Sequence, residues 1–149
     1  EQIEFMSSNN YGFSFTAYEY LIDENNHQEK IFSVPSKLNY REALKNTVIG
    51  CLTVIIDRDI IGEFRMPNIR RGQDNLTWLK ILNIGHTAYG LDKVLAEYRL
   101  VENSLSRSKL KALRRQWNNY RNILGLDFFE CLYYYSSYVI NNIKKYYLS

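Results

Sequence analysis

The chain has too little cysteine, too badly spaced, to be organised by a metal or a disulfide. Its two cysteines, Cys51 and Cys131, stand far apart with no CxxC or Cys/His spacing. That excludes a zinc ribbon or finger and leaves both expected as reduced core thiols. Long apolar runs are absent as well. The most aromatic stretch, residues 128–140, is too short for a bilayer and carries Glu130, so no segment is expected to span a membrane. No signal-peptide pattern opens the sequence, and a cytoplasmic location is expected. Acid is missing from one stretch: between Glu102 and Asp127 there is none, while Arg107, Lys109, Lys111, Arg114, Arg115 and Arg121 all fall there. Because the whole chain carries only +3, its positive charge is concentrated in that stretch. No recognised nucleic-acid-binding motif accompanies it, so no nucleic-acid partner is expected.

What is present suits a single α/β fold. With 149 residues, 46% of them hydrophobic, the chain can close a core of its own. Thirteen tyrosines, seven phenylalanines and two tryptophans supply large apolar bodies, many with a polar tip that needs a partner when buried.

At the start, Ile3 and Met6 share a helical face and Asn9 and Asn10 supply a stop, but no start signal precedes Glu1. A helix that has been cut into is expected there. Over residues 11–22, Phe13, Phe15 and Ala17 alternate with Ser14, Thr16 and Tyr18, the period of two that marks a strand. Residues 23–30 read as a polar loop carrying a solvated His27. After Pro35, Asn39 and Glu42 stand in capping-box relation with Leu38 placed for a staple, which predicts a short helix over 40–45.

Residues 48–56 form an apolar, β-branched run bounded by Asn46 and Asp57 and predict a buried central strand. Gly50 inside it marks either close approach by another group or simple relief of packing. Asp57, Arg58 and Asp59 follow. Two carboxylates at that spacing can chelate a hard cation, but Arg58 is at hand to neutralise either one, and a surface turn is expected instead. A basic, irregular loop over 63–72, containing Arg65, Arg70 and Arg71 and punctuated by Pro67 and Gly72, then delivers Asp74 to the mouth of a short helix. Leu76, Leu79 and Leu82, widened by Trp78 and Ile81, form that helix's apolar stripe, and Gly85 closes it. Asp74 is open to two roles: a cap favoured by the helix macrodipole, or a single acid presented to a cleft. Residues 86–89 and 94–99 predict two short strands joined through Gly90 and Asp92, with His86 at a strand edge.

The tail predicts two helices. Leu110, Leu113, Trp117, Tyr120 and Leu124 trace one face, with Ser108 as cap and Gly125 as stop. Asp127 and Glu130 form a second capping-box pattern, ahead of a stripe of Phe128, Leu132, Tyr135, Val139 and Ile143. Such an aromatic, basic pair can sit at an anionic membrane surface or simply pack on the sheet with a solvated basic face.

Several of these residues carry a resemblance. Gln73, Asp74, Leu76, Trp78 and Leu79 resemble the Glu/Gln-Asp…Trp-Leu segment of family 2 glycosyltransferases, inverting enzymes with a GT-A fold. Gly50, Cys51, Leu52, Thr53 and Val54 upstream, and Leu95, Ala96, Glu97, Tyr98 and Arg99 followed by Ser104 and Ser106 downstream, fall in the family's order and at roughly its distances. The nearest group is the one that builds bacterial capsular and teichuronic-acid type polysaccharides.

The resemblance implies that residues 1–105 are the C-terminal, acceptor-side portion of a GT-A domain and that 106–149 are an appended helical hairpin. Asp74 would be the catalytic base. Gly50, Cys51, Thr53, Arg70, Arg71, Gln73 and Trp78 would lie toward acceptor and substrate, and Arg99, Ser104 and Ser106 toward the diphosphate. Val101 stands where the family commonly has histidine, which puts that contact in doubt. The family's Asp-x-Asp metal motif and most of its nucleotide pocket would precede residue 1, so Asp57 and Asp59 are not its equivalent. No metal site is expected in this piece, no cofactor bound by it, and no turnover from it alone. The parent enzyme would use Mg2+ or Mn2+, a nucleotide sugar and a glycan or lipid-linked acceptor, at the inner face of the membrane. Self-association through sheet surface left open by truncation is a further expectation. The alternative is a non-catalytic basic helical module that binds membrane or nucleic acid.

Overall fold

The computed structural model describes residues 1–21, 30–69, 71–99 and 109–147. His27, Arg70, Val101, Ser104, Ser106 and Ser108, each the subject of an expectation above, lie outside them. In chain order the elements are α1 (Gln2–Asn9), β1 (Phe13–Leu21), β2 (Lys30–Phe32), β3 (Lys37–Leu38), α2 (Tyr40–Lys45), a 3-10 turn (Cys51–Thr53), β4 (Ile55–Ile56), α3 (Arg58–Ile61), α4 (Gln73–Asn83), β5 (Ala88–Arg99), α5 (Lys109–Asn118), a π turn (Asn119–Ile123) and α6 (Phe128–Tyr147). The fold is mixed α/β.

β1 is the axis of the sheet. Along one edge it runs parallel to β5, from Ser14 opposite Tyr89 to Leu21 opposite Arg99. Along the other it pairs antiparallel first with β4, Phe13 opposite Ile56, and then with β2, Tyr18 opposite Phe32. β3 closes the far side of β5. A strand flanked on both edges and covered on both faces loses the wet face that its alternation predicts, and every residue from Phe13 to Tyr18 is buried. Phe13, Phe15 and Ala17 share a core cluster with Leu44 of α2, Trp78, Leu79 and Leu82 of α4, and Tyr120 and Cys131 of the tail. Ser14 belongs to the other face. Its Oγ accepts a hydrogen bond from Gln2 Nε2 at 2.9 Å, and the same amide group donates to the Thr53 carbonyl at 2.9 Å, so α1 is tied to both the strand and the 3-10 turn.

The run over 48–56 is not a central strand. Only Ile55 and Ile56 pair, beside β1, and the chain ahead of them turns through Cys51–Thr53. The edge position is filled farther along by β2, so a long strand has no partner to extend on. Cys51 is consequently exposed rather than a core thiol, while Cys131 is buried as expected. The two short strands expected around Gly90 and Asp92 are one strand, β5, with a register break against β1: Thr16 faces Leu91, but Ala17 faces Val94. Asp92 is used at that irregularity, its Oδ1 accepting from the Val34 N–H at 2.9 Å. Gly90 is required by close approach, since a β-carbon there would lie 2.0 Å from the Pro35 carbonyl oxygen. Punctuation in the sequence therefore marks a bulge, where a break between two strands was expected.

The helices follow their caps. Asn39 Oδ1 accepts from Glu42 N at 3.0 Å and Glu42 Oε2 accepts from Asn39 N at 2.9 Å, a complete capping box opening α2. Asp57 caps α3 through the Asp59 N–H at 2.9 Å, and Arg58 pairs with Glu63 rather than with either aspartate. Asp127 Oδ1 accepts from the amides of Phe129 and Glu130 at 2.8 and 3.0 Å, which fixes the start of α6.

The tail's faces are rotated from expectation. At the π turn, Asn119 and Tyr120 are buried, with Gln116 buried one turn earlier, while Leu124 is only half-buried. The Tyr120 hydroxyl donates to the Leu44 carbonyl and Asn141 Nδ2 donates to the Lys45 carbonyl at 3.1 Å, so the end of α2 seats the whole tail. α6 buries Cys131 and Tyr138 and leaves Phe128, Leu132 and Ile143 of its expected stripe exposed.

Candidate active site

β1 and β5 run parallel, and their carboxyl ends open on the same side of the sheet. Ligand sites in open α/β sheets form beyond such strand ends. A cleft of about 470 Å³ lies here, within the usual range for a small-ligand site. Tyr18 comes from β1, and Glu97, Tyr98 and Arg99 from the end of β5. Thr47, Ile49, Gly50, Cys51 and Leu52 supply the wall that follows α2, and Asp74 enters from the first turn of α4.

The way α4 begins decides what Asp74 can do. Its N-cap is Gly72, in the left-handed region at φ 78°, and no side chain caps the helix. A β-carbon on Gly72 would sit 3.4 Å from Arg115 Nε, so a guanidinium from α5 packs against the helix start. Asp74 lies two positions inside, where the helix dipole favours an anion. Among the described residues its carboxylate accepts no hydrogen bond and forms no ion pair. The buried stripe of Leu76, Trp78, Leu79, Ile81 and Leu82 anchors the helix behind it. Asp74 therefore faces the cleft from a fixed backbone, its carboxylate without a hydrogen-bond or ion-pair partner among the described residues.

The negative charge of Asp74 is felt across the cleft. Cys51 is exposed as a residue, yet the surrounding protein desolvates its thiol and the Asp74 carboxylate repels a thiolate, both raising its pKa above the ordinary value. Both effects disfavour the thiolate, the form in which a cysteine is a nucleophile or metal ligand. Asp74→Asn is expected to speed alkylation of Cys51 at pH 8 by a factor of a few, because loss of the carboxylate lets more thiolate form; one pKa unit corresponds to about tenfold. Unchanged kinetics would separate the two residues. Buried Cys131 stays silent while the chain is folded.

Two tyrosines, Tyr18 and Tyr98, line the other wall, and a third, Tyr20, packs on both. Tyr18 and Tyr98 have ring centroids 6.0 Å apart, and Tyr20 lies edge-on to both, at 5.4 and 5.7 Å. Tyr18 also abuts Gly50, where a β-carbon would meet its Cε1 at 3.3 Å. Gly50 thus accommodates a wall residue of the cleft itself.

Of the residues singled out in the sequence, Gly50, Cys51, Asp74 and Arg99 line the cleft together. Thr53 is buried beside it, its Oγ1 hydrogen-bonded to the Gly50 carbonyl at 2.9 Å. Arg71 is exposed and Gln73 half-buried, neither on the cleft wall. Trp78 is 4% exposed, within the core against Phe13, ring centroids 5.4 Å apart. Arg70, Ser104 and Ser106 lie outside the described residues. Sequence reasoning missed Tyr18 and gave Glu97 and Tyr98 no role of their own. Tyr18 had one signal: with Tyr20 it places large rings on a strand face that begins with Ser14 and Thr16. Among the described residues no three histidine, cysteine, aspartate or glutamate side chains converge. The cleft lining offers two carboxylates, Asp74 and Glu97, from separate elements, which is no metal cage by itself among the described residues.

Comparison with known proteins gives the cleft its context. TuaG of Bacillus subtilis, provisionally named a teichuronic acid biosynthesis glycosyltransferase, is 46% identical over 145 residues, 97% of this chain and 58% of its own length. This chain is similar to bacterial glycosyltransferases. Two further such transferases, WfgD and WfaP of Escherichia coli, are 38% and 35% identical over 97% of the chain. Both are named UDP-Glc:alpha-D-GlcNAc-diphosphoundecaprenol beta-1,3-glucosyltransferases. The chain spans 56–58% of the length of these three glycosyltransferases. No profile of a protein family and no solved structure matches it.

Proposed function

We propose that this chain is the acceptor-side part of an inverting, GT-A-type glycosyltransferase that moves a sugar from a nucleotide sugar to a glycan or lipid-linked acceptor in bacterial surface-polysaccharide synthesis. The observation that carries this reading is the cleft. It brings Asp74, mounted on the first turn of α4 and without a side-chain partner among the described residues, together with Gly50, Cys51 and Arg99 from separate elements. On this reading residues 1–105 form the transferase portion and 106–149 a helical extension seated on it.

The chemistry needs one base. Asp74 takes the proton of the acceptor hydroxyl as its oxygen attacks the anomeric carbon, and the bond to the nucleoside diphosphate breaks with its electron pair leaving on the phosphate. Attack opposite the leaving group inverts the anomeric centre. That matches the names of the Escherichia coli relatives, which pair UDP-Glc with a β-linked product, since the glucose of UDP-glucose is α-linked. Arg99, on the cleft wall, and Arg115, beside the start of α4, can offset charge developing on the diphosphate. Mg2+ or Mn2+ would neutralise that diphosphate, held by residues outside this chain. The tyrosines supply apolar ring faces and hydroxyls suited to a sugar. Arg70, Ser104, Ser106, Arg71 and Gln73 keep only the roles that the resemblance implies, while Trp78, closed into the core against Phe13, anchors α4 rather than reaching substrate.

The test is transfer by the complete protein, with Mg2+ or Mn2+, a panel of nucleotide sugars and a diphosphoprenol-linked acceptor sugar. A glycoside of inverted configuration, read by NMR of the anomeric proton, is expected. No transfer from any donor, or retention of configuration, would refute the assignment.

A further inference from the structure

α6 is apolar on the side that faces away from the core. Cys131 and Tyr138 mark its buried side. Opposite them, at helical spacing, lie Phe129, Leu132, Tyr133, Ser136, Ile140 and Ile143, a stripe without a single charge along most of a 20-residue helix. Phe129 is 80% exposed, and Leu132, Tyr133, Ile140 and Ile143 are also exposed. A helix that only covered a sheet would turn charge outward here. Cations flank the stripe. Lys45 Nζ stands 5.1 Å from the centre of the Tyr133 ring, and Lys144 is exposed next to Ile143 and Ile140. Glu130, the one acid of the helix, lies toward its first turn and off the stripe.

We infer that this face of α6 rests in the interface of an anionic phospholipid membrane, with its aromatic and aliphatic side chains among the acyl carbons and Lys45 and Lys144 at the headgroups. An uncharged, aromatic stripe with basic edges has the composition of helices that lie in the membrane plane. The basic edges favour anionic lipid over a second copy, whose own lysines would oppose them. Position supports the same occupant. Asn141 of α6 holds the Lys45 carbonyl, two residues before the cleft wall begins at Thr47, so the end of α2 joins the membrane-facing helix to the wall that a lipid-linked acceptor would meet. That last point rests on the transferase reading, in which a lipid-linked acceptor must reach Asp74; the stripe itself does not.

Vesicle sedimentation of the 149-residue chain tests the inference. Vesicles of phosphatidylglycerol and phosphatidylcholine should bind the chain, vesicles of phosphatidylcholine alone should bind it far less, and added salt should release it. Joint replacement Phe129→Ser and Ile140→Ser is expected to weaken binding at least tenfold, since each removes a side chain whose burial matters by about that factor or more. Both sites are exposed, so the circular dichroism of the variant should be unchanged. Lys144→Glu should weaken binding several-fold. Absent binding, or binding indifferent to lipid charge, overturns the proposal. So does a dimer in sedimentation velocity that the double replacement dissociates, because a second copy would then own the face. Asp74→Asn should bind vesicles as the unaltered chain does. Failure of transfer with vesicle binding intact would therefore count against the function alone, and the reverse result against the membrane face alone.

Discussion

Asp74→Asn in the complete protein is expected to lower turnover by ~10²–10⁴-fold, the usual contribution of a positioned base, while leaving affinity for the nucleotide sugar nearly unchanged. The amide has the size of the carboxylate and keeps hydrogen-bonding capacity, but it does not accept a proton at neutral pH. Helix α4 should be little affected, because its start is set by Gly72 without a side-chain cap. This separates two explanations for an aspartate in a first helical turn. A residue retained for the dipole alone would show a small stability loss, ~0.3–1 kcal/mol, and near-normal turnover. Steady-state kinetics with thermal melts of the same preparations tells them apart, and near-normal turnover would return Asp74 to a purely structural role.

Phe13→Ala should be the most damaging single change to the fold tested outside the cleft. Phe13 has no exposed surface, lies against Trp78 of α4, and pairs in register with Ile56 of β4. Removing a buried aromatic ring typically costs ~3–5 kcal/mol. The total stability of a domain is about 5–15 kcal/mol, so much of the margin would be gone. Urea denaturation should show a lower midpoint with an unchanged slope. Phe13→Leu, which refills most of the volume, should cost under about 1.5 kcal/mol. Equal losses in the two variants would mean that ring volume is not what holds α4 to the sheet.

Local signals were readable where neighbouring residues settle the structure among themselves. The Asn39 and Glu42 box, the stripe from Leu76 to Leu82 and the left-handed stop at Asn10 are each decided within one or two turns, and each is present. What the sequence hid depends on partners distant along the chain. The run over 48–56 has the composition of a central strand, but the edge of β1 on which it would extend is taken farther along by β2, a segment distant in the chain. The Gly90 to Asp92 segment looks like a boundary because a bulge and a loop use the same residue types. On α6 both faces carry aromatic residues, so periodicity alone did not reveal which faces inward. The cleft was half legible. Gly50, Cys51, Asp74 and Arg99 followed from the resemblance, whereas the Tyr18, Tyr20 and Tyr98 cluster needed β1 and β5 to be placed side by side.

That side-by-side placement also bears on how the chain is made. β1 is translated well before its long parallel neighbour β5, with β2, β3, β4 and three helices in between. Pairing so remote in sequence closes a large loop before any contact rewards it, and folding of this kind is slow. Until β5 arrives, β1 has one bare edge, so a ribosome stalled before Ala88 would display an aggregation-prone nascent chain. Through the interval between the two strands the growing chain carries that edge unpaired by its long parallel partner.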